Sequence, residues 1–292
     1  MLENERKYAI MVGAMKSGTS AIFSLLRQHP QVCPSLIKEP RFFVKEDYNS
    51  TRIDEYQLLW NCKAKAQIKF YLEASTSYTK LPRFPNAAER IKESGITAKF
   101  IYVMRHPLER IISQLNMSLA KNWDTYDENN MVHHSIINIS RYYFQIKEYY
   151  NRFEKEDILL LCFEDFTTDP TKTMDSICQF LGLSRDFKFD YNKVRRHEGV
   201  LYTYNNKRIL LYTKLILGRI KRKMYNYPRL KKIVGLFEKI FDRVFGRSRV
   251  NLSLEDRTRI TNILLEDLKD LHDHYGFDIS KWELNNEIKQ QK

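Results

Sequence analysis

The sequence predicts an α/β fold in which a central parallel sheet is flanked by helices. Short apolar runs typical of buried strands recur along the chain, at residues 8–12, 99–104 and 158–163. Segments with apolar residues at helical spacing separate these runs, and strands that alternate with helices favour a parallel sheet. A length of 292 residues with 43% apolar content can build one large core. We therefore expect a single domain over residues 1–292.

The first strand leads into a loop with two glycines, Gly13-Ala-Met-Lys-Ser-Gly-Thr-Ser20. A helix over about residues 19–29 follows it. A strand, a glycine-flanked loop and a helix in this order present backbone N–H groups to a phosphate. Gly13 and Gly18 have the Walker A spacing, but Thr19 stands where that pattern has lysine, and the loop's only lysine is Lys16. The loop is predicted to bind a phosphate with a relocated cation; a plain glycine turn is the alternative.

The sequence Lys16-Ser-Gly-Thr-Ser20 after a strand resembles the 5′-phosphosulfate loop of sulfotransferases whose donor is 3′-phosphoadenosine 5′-phosphosulfate (PAPS). The resemblance implies a P-loop-NTPase-like three-layer fold, with PAPS as co-substrate and no metal. It also makes Lys16 a catalytic residue that stabilises the leaving oxygen as the S–O bond breaks. The donor-binding residues that it implies in the loop are Lys16, Ser17, Gly18, Thr19 and Ser20.

Residues 32–43 contain two prolines, which favour an extended loop over a helix. The sequence Lys38-Glu-Pro-Arg-Phe-Phe43 resembles the K-E-x-x-F-F segment of heparan-sulfate-type sulfotransferases, and the resemblance makes Glu39 the general base. The chemistry agrees, because an attacking hydroxyl has to lose its proton. Lys38 and Arg41 are candidates for binding the acceptor. The alternative is a surface ion pair of Glu39 with Lys38 or Arg41.

A helical stretch near residues 53–60 precedes a predicted short strand at residues 69–73. The small-residue loop Ala74-Ser-Thr-Ser-Tyr78 follows at the carboxyl end of that strand, where open α/β sheets place ligands. It resembles the E-[AK]-[ST]-P-x-Y loop of the same family, with Thr76 in place of the proline. The resemblance makes Glu73 and Tyr78 acceptor-binding candidates. A strand-end acid and a core tyrosine are the alternative.

The strand at residues 99–104 leads directly into Arg105-His-Pro-Leu-Glu-Arg110-Ile-Ile-Ser113. Pro107 is placed to begin a helix, so Arg105 ends the strand and Ser113 lies about two turns into the helix. This spacing resembles the family's R-x-P-x-x-R-x-x-S signature for the 3′-phosphate of PAPS. A guanidinium can bind a phosphate bidentately, and a hydroxyl adds a neutral donor. We expect Arg110 to support the loop.

The remaining elements follow from periodicity and capping signals. Residues 134–153 carry apolar and aromatic residues at helical spacing and are predicted to form one amphipathic helix. Asp169 is a natural N-cap, with Pro170 in the first helical position and Gly182 ending the helix. Ser253 is predicted to cap the last helix.

Positive charge is concentrated in one segment. Residues 205–250 contain 14 Lys or Arg and two acids, which is +12 of the total charge of +13. We interpret the segment as a variable helical insertion with a solvated basic face; weak contact with an anionic surface is the alternative. The resemblance also implies a late basic loop over the 3′-phosphate and adenine, for which Arg195, Arg196 and Lys207 are candidates.

The cysteines predict buried free thiols in a reducing compartment, because they lie far apart and show no paired spacing. They are Cys33, Cys62, Cys162 and Cys178. The charged first residues contain no apolar targeting stretch, and no run is long enough to span a bilayer. We therefore expect a cytoplasmic protein. Glu164 and Asp165 are interpreted as structural, since no His, Cys and Asp cluster has metal-ligand spacing.

These patterns predict an enzyme, a PAPS-dependent sulfotransferase that acts on a hydroxyl of a sugar, a polyol or a small natural product. N-sulfation of an amine is the first alternative. A P-loop kinase or NTPase is the second, which Thr19 and the missing Walker B-type acid argue against. The third is a protein that binds a polyanion or a membrane through its basic segment. We expect no nucleic-acid partner, and the sequence leaves the oligomeric state open.

Overall fold

A computed structural model describes residues 6–62, 67–121, 132–193 and 252–284. The chain divides into two compact units. The first comprises Met1–Ile111, His133–Arg196 and Arg257–Lys292, and the second comprises Ile112–Val132 and His197–Asp256. The predicted basic insertion over residues 205–250 lies outside the described residues, so the single-domain expectation stays a prediction.

The first unit contains a sheet of five parallel strands, which confirms the predicted parallel sheet. The strands are β1 (Lys7–Gly13), β2 (Val32–Pro34), β3 (Phe70–Ala74), β4 (Thr97–Met104) and β5 (Ile158–Cys162). Their order across the sheet is β2-β3-β1-β4-β5. In the register, Ile10 of β1 pairs with Glu73 of β3 on one side and with Phe100 of β4 on the other.

Helices flank this sheet, and most begin and end close to the predicted signals. They are α1 (Thr19–Leu26), α2 (Ile53–Gln57), α3 (Ala87–Glu93), α4 (Pro107–Lys121), α5 (His134–Asn138), α6 (Tyr142–Tyr150), α7 (Phe163–Thr168), α8 (Pro170–Leu181) and α9 (Leu254–Tyr275). The Asp169 side chain accepts a hydrogen bond from Lys172 N at 2.9 Å, so it caps α8 as predicted. The Ser253 hydroxyl caps α9 in the same way, through Asp256 N at 3.0 Å.

Alternate residues of the central strand pack on opposite sides of the sheet, as the pleat of a strand requires. Ala9 and Met11 of β1 belong to a core cluster with apolar side chains of α1 and α8. On the other side, the Tyr8 ring packs against Tyr56 of α2 at a centroid distance of 5.3 Å. Because β1 is buried on both sides, its carboxyl end is a rigid base for the loop that follows it.

The prediction of one helix over residues 134–153 is wrong, because the structure has the two helices α5 and α6 there. The cause lies far away in the sequence. Asp267 of α9 accepts hydrogen bonds from Tyr143 N and Phe144 N, both at 3.0 Å, and so caps a new helix at this point. The apolar spacing continues across the break, because each of the two helices buries apolar residues.

The prediction that all four cysteines are free thiols is wrong for two of them. Cys33 of β2 and Cys62 form a disulfide, with their Cα atoms 6.0 Å apart. Cys162 and Cys178 are free and buried, as predicted, and burial raises their pKa values to about 12 and about 11. Disulfides are uncommon in reducing compartments, so the cysteines do not support the expected cytoplasmic location, which stays a prediction.

Candidate active site

The carboxyl ends of three neighbouring strands carry the segments that the motifs single out. Strand β1 lies between β3 and β4. The glycine loop follows β1, a 3-10 turn over Thr76–Thr79 follows β3, and Arg105 follows β4. Open parallel sheets bind their ligands at this edge. The fold thus gathers segments that are about 60 and 90 residues apart in the sequence.

The glycine loop presents several backbone N–H groups at the start of α1. Gly18, with φ 83°, is the N-cap residue. Ala21 N donates to Gly18 O at 2.9 Å, whereas the N–H groups of Gly18, Thr19 and Ser20 donate to no carbonyl of the described residues. The Ser17 hydroxyl is buried and also has no hydrogen-bond partner among the described residues. These donors, at the positive end of a helix dipole, fit the phosphosulfate group of PAPS.

Close packing makes both glycines of the loop necessary. A Cβ on Gly13 would collide with the Thr79 hydroxyl, which donates to Val12 O at 2.7 Å. A Cβ on Gly18 would come within 2.5 Å of the Phe163 ring, in addition to the strain of its left-handed backbone. The loop is therefore held against the turn after β3 on one side and against the start of α7 on the other.

Lys16 lies inside this loop, with its backbone also left-handed at φ 72°. A non-glycine residue in this conformation is strained by about 1–3 kcal/mol, and such strain concentrates at functional sites. The lysine side chain is half-buried. The structure therefore places Lys16 within the glycine loop before α1, whereas a Walker A lysine stands at the start of the helix.

Glu39 is anchored by the turn after β3. Thr76 N donates to Glu39 Oε2 at 2.9 Å, and the Thr76 hydroxyl donates to Oε1 at 3.1 Å. Lys38 Nζ lies 3.1 Å from the same Oε1, so the ion pair of the alternative interpretation is present. Ordinary surface pairs have no such backbone anchor. With 25% of its side chain exposed, the carboxylate has a fixed orientation and remains open to an acceptor.

The Thr76–Thr79 turn contacts both the glycine loop and Glu39, and sequence reasoning missed this. Thr79 bonds Val12 O before the loop, while Thr76 bonds the Glu39 carboxylate. All four residues of the turn are buried. The one available signal was Thr76 in the family's proline position, since proline has no N–H to donate to a carboxylate. Four residues thus fix the position of the carboxylate relative to the glycine loop.

Glu73 and Tyr78 lie beneath the surface, with exposed fractions of 0% and 2%. Glu73 accepts hydrogen bonds from Tyr56 OH and from the Ser75 hydroxyl, the latter at 2.7 Å. Burial raises the pKa of Glu73, although these hydrogen bonds oppose the shift. Ser75 also accepts from Arg41 N at 3.0 Å, so this network supports the segment that carries Glu39. The burial of Glu73 and Tyr78 fits a strand-end acid and a core tyrosine, which was the alternative to acceptor binding.

Arg105 directly follows β4, and its side chain and the glycine loop contact the same aromatic ring. Its guanidinium lies over the Phe163 ring at 5.2 Å from the centroid, and the same ring occupies the space beside Gly18. Arg105 Nη2 is 3.5 Å from Glu109 Oε2, and 20% of the arginine side chain is exposed. Phe163 therefore places the two predicted anion-binding segments next to each other, which the sequence did not show.

Glu164 and its neighbours have the structural role that was predicted for them. Glu164 accepts hydrogen bonds from His106 N at 2.9 Å and from Trp282 Nε1 at 3.2 Å. Burial would raise the pKa of Glu164, but these bonds, with that from the Cys162 thiol, lower it below its ordinary value. Asp165 pairs with Lys281 at 2.7 Å. The C-terminal segment is thus attached directly beside the Arg105 loop.

The remaining predicted residues have separate outcomes. Arg110 is fully buried and donates to the Ser140 hydroxyl and to Ile136 O. Ser140 donates in turn to Pro107 O, so these contacts fit the expected support of the loop. Ser113 lies on α4, two turns after Arg105, and its contact with a 3′-phosphate stays a prediction. The late-loop candidates lie outside the described residues. They are Arg195, Arg196 and Lys207.

The described part of the chain contains neither a metal-binding cluster nor a helix suited to span a membrane. Nowhere in it do three or more His, Cys, Asp or Glu side chains come together as a potential metal site. Among its helices, none combines the length and the apolar composition that crossing a membrane requires.

Comparison with known proteins agrees with this geometry. The chain is 27% identical over 201 residues to mouse heparan sulfate glucosamine 3-O-sulfotransferase 3B1, covering 64% of this chain and 50% of that protein. It is 25% identical over 211 residues to human bifunctional heparan sulfate N-deacetylase/N-sulfotransferase 2, covering 63% and 23%. The match thus spans half or less of the length of these relatives.

A solved structure and a family model extend the comparison. The crystal structure of a sulfotransferase from Alicyclobacillus acidocaldarius superposes with a TM-score of 0.64 at 19% identity, covering 95% of this chain and 99% of that one. At this identity the likeness concerns the fold, and it confirms the P-loop-NTPase-like class. The model of the sulfotransferase domain matches residues 6–208. The chain therefore belongs to the sulfotransferase domain family.

Proposed function

We propose that the protein is a PAPS-dependent sulfotransferase whose acceptor is a hydroxyl of a sugar, a polyol or a small natural product. The observation that carries the proposal is the Thr76–Thr79 turn, which bonds Val12 O directly before the glycine loop, packs against Gly13 and anchors the Glu39 carboxylate. A group held by the loop would therefore face a fixed base. Family membership limits the group to be transferred to a sulfuryl group.

The donor would be held at both of its anionic ends. The N–H groups of Gly18, Thr19 and Ser20 would bind the 5′-phosphosulfate, because they are free of other bonds within the described residues. Arg105 would bind the 3′-phosphate, in exchange for its long contact with Glu109. The 3′-phosphate distinguishes PAPS from ATP, so this arginine would provide the selectivity for the donor.

Transfer of the sulfuryl group requires one bond to form and one to break. The acceptor oxygen bonds to sulfur, the bond from sulfur to the phosphate oxygen breaks, and that oxygen keeps the electron pair. Lys16 would stabilise the developing charge on this oxygen. Glu39 would take the acceptor's proton, because its carboxylate is oriented by Thr76 and stays partly exposed.

The acceptor class rests on the relatives. The names of the curated relatives describe transfer to heparan sulfate, by an O-sulfotransferase in one case and by an N-sulfotransferase in another. A hydroxyl of a carbohydrate is the first choice for this chain. The second relative supports an amine as an alternative acceptor, for which the same base and leaving-group residues would serve.

The proposal is tested by incubation with PAPS and a panel of sugar, phenol, alcohol and amine acceptors, read by mass spectrometry. We expect one acceptor class to gain the mass of a sulfuryl group. Lys16→Ala should lower kcat on the order of 10²–10³-fold, whereas Lys155→Ala, at an exposed position, should not. Turnover of ATP instead of PAPS would support a kinase. Salt-dependent binding of polyanions that survives Lys16→Ala, without transfer, would support the binding-protein alternative.

A further inference from the structure

Lys80 is a lysine that the motifs did not identify, and it lies at the end of the Thr76–Thr79 turn. The turn contacts the phosphate-binding loop through Thr79 and the Glu39 carboxylate through Thr76. Lys80 directly follows this turn, so its backbone position is set by a segment that contacts both the glycine loop and the proposed base. The Lys80 side chain is half-buried, and within the described part of the chain no side chain forms a hydrogen bond or ion pair with its ammonium group.

The charges around Lys80 are mostly of its own sign. Burial lowers the pKa of Lys80 to about 8, the nearby Glu39 carboxylate opposes this, and the guanidinium groups of Arg41, Arg110 and Arg83 add to it. Glu39 is itself neutralised in part by Lys38. Removing a cation from water without a counterion is unfavourable. The arrangement is thus one that an anionic ligand group would stabilise.

We propose that the Lys80 ammonium group binds the sulfuryl oxygens of PAPS and holds the group between the phosphate loop and Glu39. The inference rests on the proposed function, since it takes PAPS as the donor. The sulfuryl group is the anion expected at this place, because during transfer it passes from the loop, which Thr79 contacts, to an acceptor deprotonated by Glu39, which Thr76 anchors. Lys80 keeps its proton throughout the transfer.

The inference makes a prediction that needs no acceptor. PAPS carries the sulfuryl group, whereas adenosine 3′,5′-bisphosphate (PAP) lacks it and keeps the two phosphates. Lys80→Met should weaken binding of PAPS by about 10-fold or more, the size of a charge-assisted hydrogen bond, and leave binding of PAP unchanged. Lys92→Met, at an exposed lysine of α3, is the matched control and should change neither affinity.

The pH dependence gives a second readout, which a merely structural lysine would not alter. In the wild-type protein the affinity for PAPS relative to PAP should fall as the pH rises through about 8, because Lys80 loses its charge there. Lys80→Arg should move this fall to higher pH, since a guanidinium remains protonated. Both titrations can be followed by calorimetry on the full chain.

The outcomes separate this inference from the proposed function. Selective loss of PAPS affinity in Lys80→Met, with PAP binding retained as evidence of folding, would support it. Three results would overturn the inference while the wild-type protein still bound PAPS. Lys80→Met could lose affinity for both nucleotides, Lys80→Met could lose affinity for neither, or Lys80→Arg could leave the pH dependence unchanged. A wild-type protein that bound neither nucleotide would overturn the proposed function and this inference together.

Discussion

At the scale of single residues, backbone strain coincides with the candidate site. Four non-glycine residues of the described chain have positive φ, and three of them are Lys16, Glu39 and Arg41, at 72°, 61° and 56°. Each such conformation costs on the order of 1–3 kcal/mol and persists only where the surroundings fix it. Here the fixing contacts are visible, since Glu39 N donates to Ala74 O and Arg41 N donates to the Ser75 hydroxyl. The strained segment is the one that carries the proposed base.

The role of Glu39 is tested by Glu39→Gln. The amide oxygen can still accept from Thr76 N, and the amide nitrogen can donate to the Thr76 hydroxyl, so the segment should keep its conformation. Because an amide cannot take the acceptor's proton, kcat should fall on the order of 10²–10⁴-fold, with the affinity for PAP unchanged. Glu46→Gln, at an exposed position, is the control. Unchanged turnover in Glu39→Gln would show that the acceptor's proton leaves by another route.

At the scale of elements, the sequence predicted what depends on neighbouring residues and missed what depends on distant ones. The cap of α8 was predictable, because Asp169 and Lys172 are three residues apart. The break between α5 and α6 was not, because its cap, Asp267, comes 124 residues after Tyr143. Helical periodicity alone therefore joined two helices into one.

The Asp267 cap predicts a pH dependence of stability. Burial raises the pKa of Asp267 from 3.8 to about 6, against the effect of its hydrogen bonds to Phe144 N and Tyr143 N. The folded protein therefore holds this proton more tightly than the unfolded chain. The contribution of Asp267 to the free energy of unfolding should therefore be greatest below about pH 4. It should decrease as the pH rises to about 6 and stay constant above that pH.

Asp267→Asn checks this prediction. Asparagine offers this helix start one acceptor oxygen where the carboxylate offers two, but it buries no charge. The variant should therefore be about as stable as the wild-type protein at pH 8 and lose the dependence between about pH 4 and 6. Thermal unfolding across this range measures both effects, with Asp273→Asn, an exposed acid of the same helix, as the control. A variant that is less stable at pH 8 and keeps the full dependence would show that the charged form stabilises the cap.

At the scale of the whole molecule, the sheet brings together motifs that the sequence could identify only one by one. The loop around Lys16, the Glu39 segment and Arg105 were predicted from spacing and resemblance, and all three lie at or beside the carboxyl edge of β1, β3 and β4. Phe163 and Lys80 were not predicted, because their significance comes from tertiary neighbours. The disulfide was not predicted either, because the fold brings together two cysteines that are 29 residues apart in the sequence.

The disulfide makes a prediction about the stability of the whole chain. Cys33 and Cys62 are 29 residues apart and enclose the Glu39 segment. Closing a loop of this length stabilises a protein by roughly 3 kcal/mol. Cys33→Ser, or reduction, should therefore lower Tm by roughly 5 °C or more. Alkylation of the unfolded, unreduced protein should label Cys162 and Cys178 alone; labelling of all four cysteines would contradict the pairing.

The most direct test of the central claim is a calorimetric titration with PAP and with adenosine 5′-monophosphate at low salt. Two anion-binding segments, the Lys16 loop and Arg105, should hold the two ends of one nucleotide. We expect PAP to bind about 10-fold or more tightly than the monophosphate, and Arg105→Ala to remove most of this difference. No affinity for PAP, or equal affinities for the two nucleotides, would contradict the account.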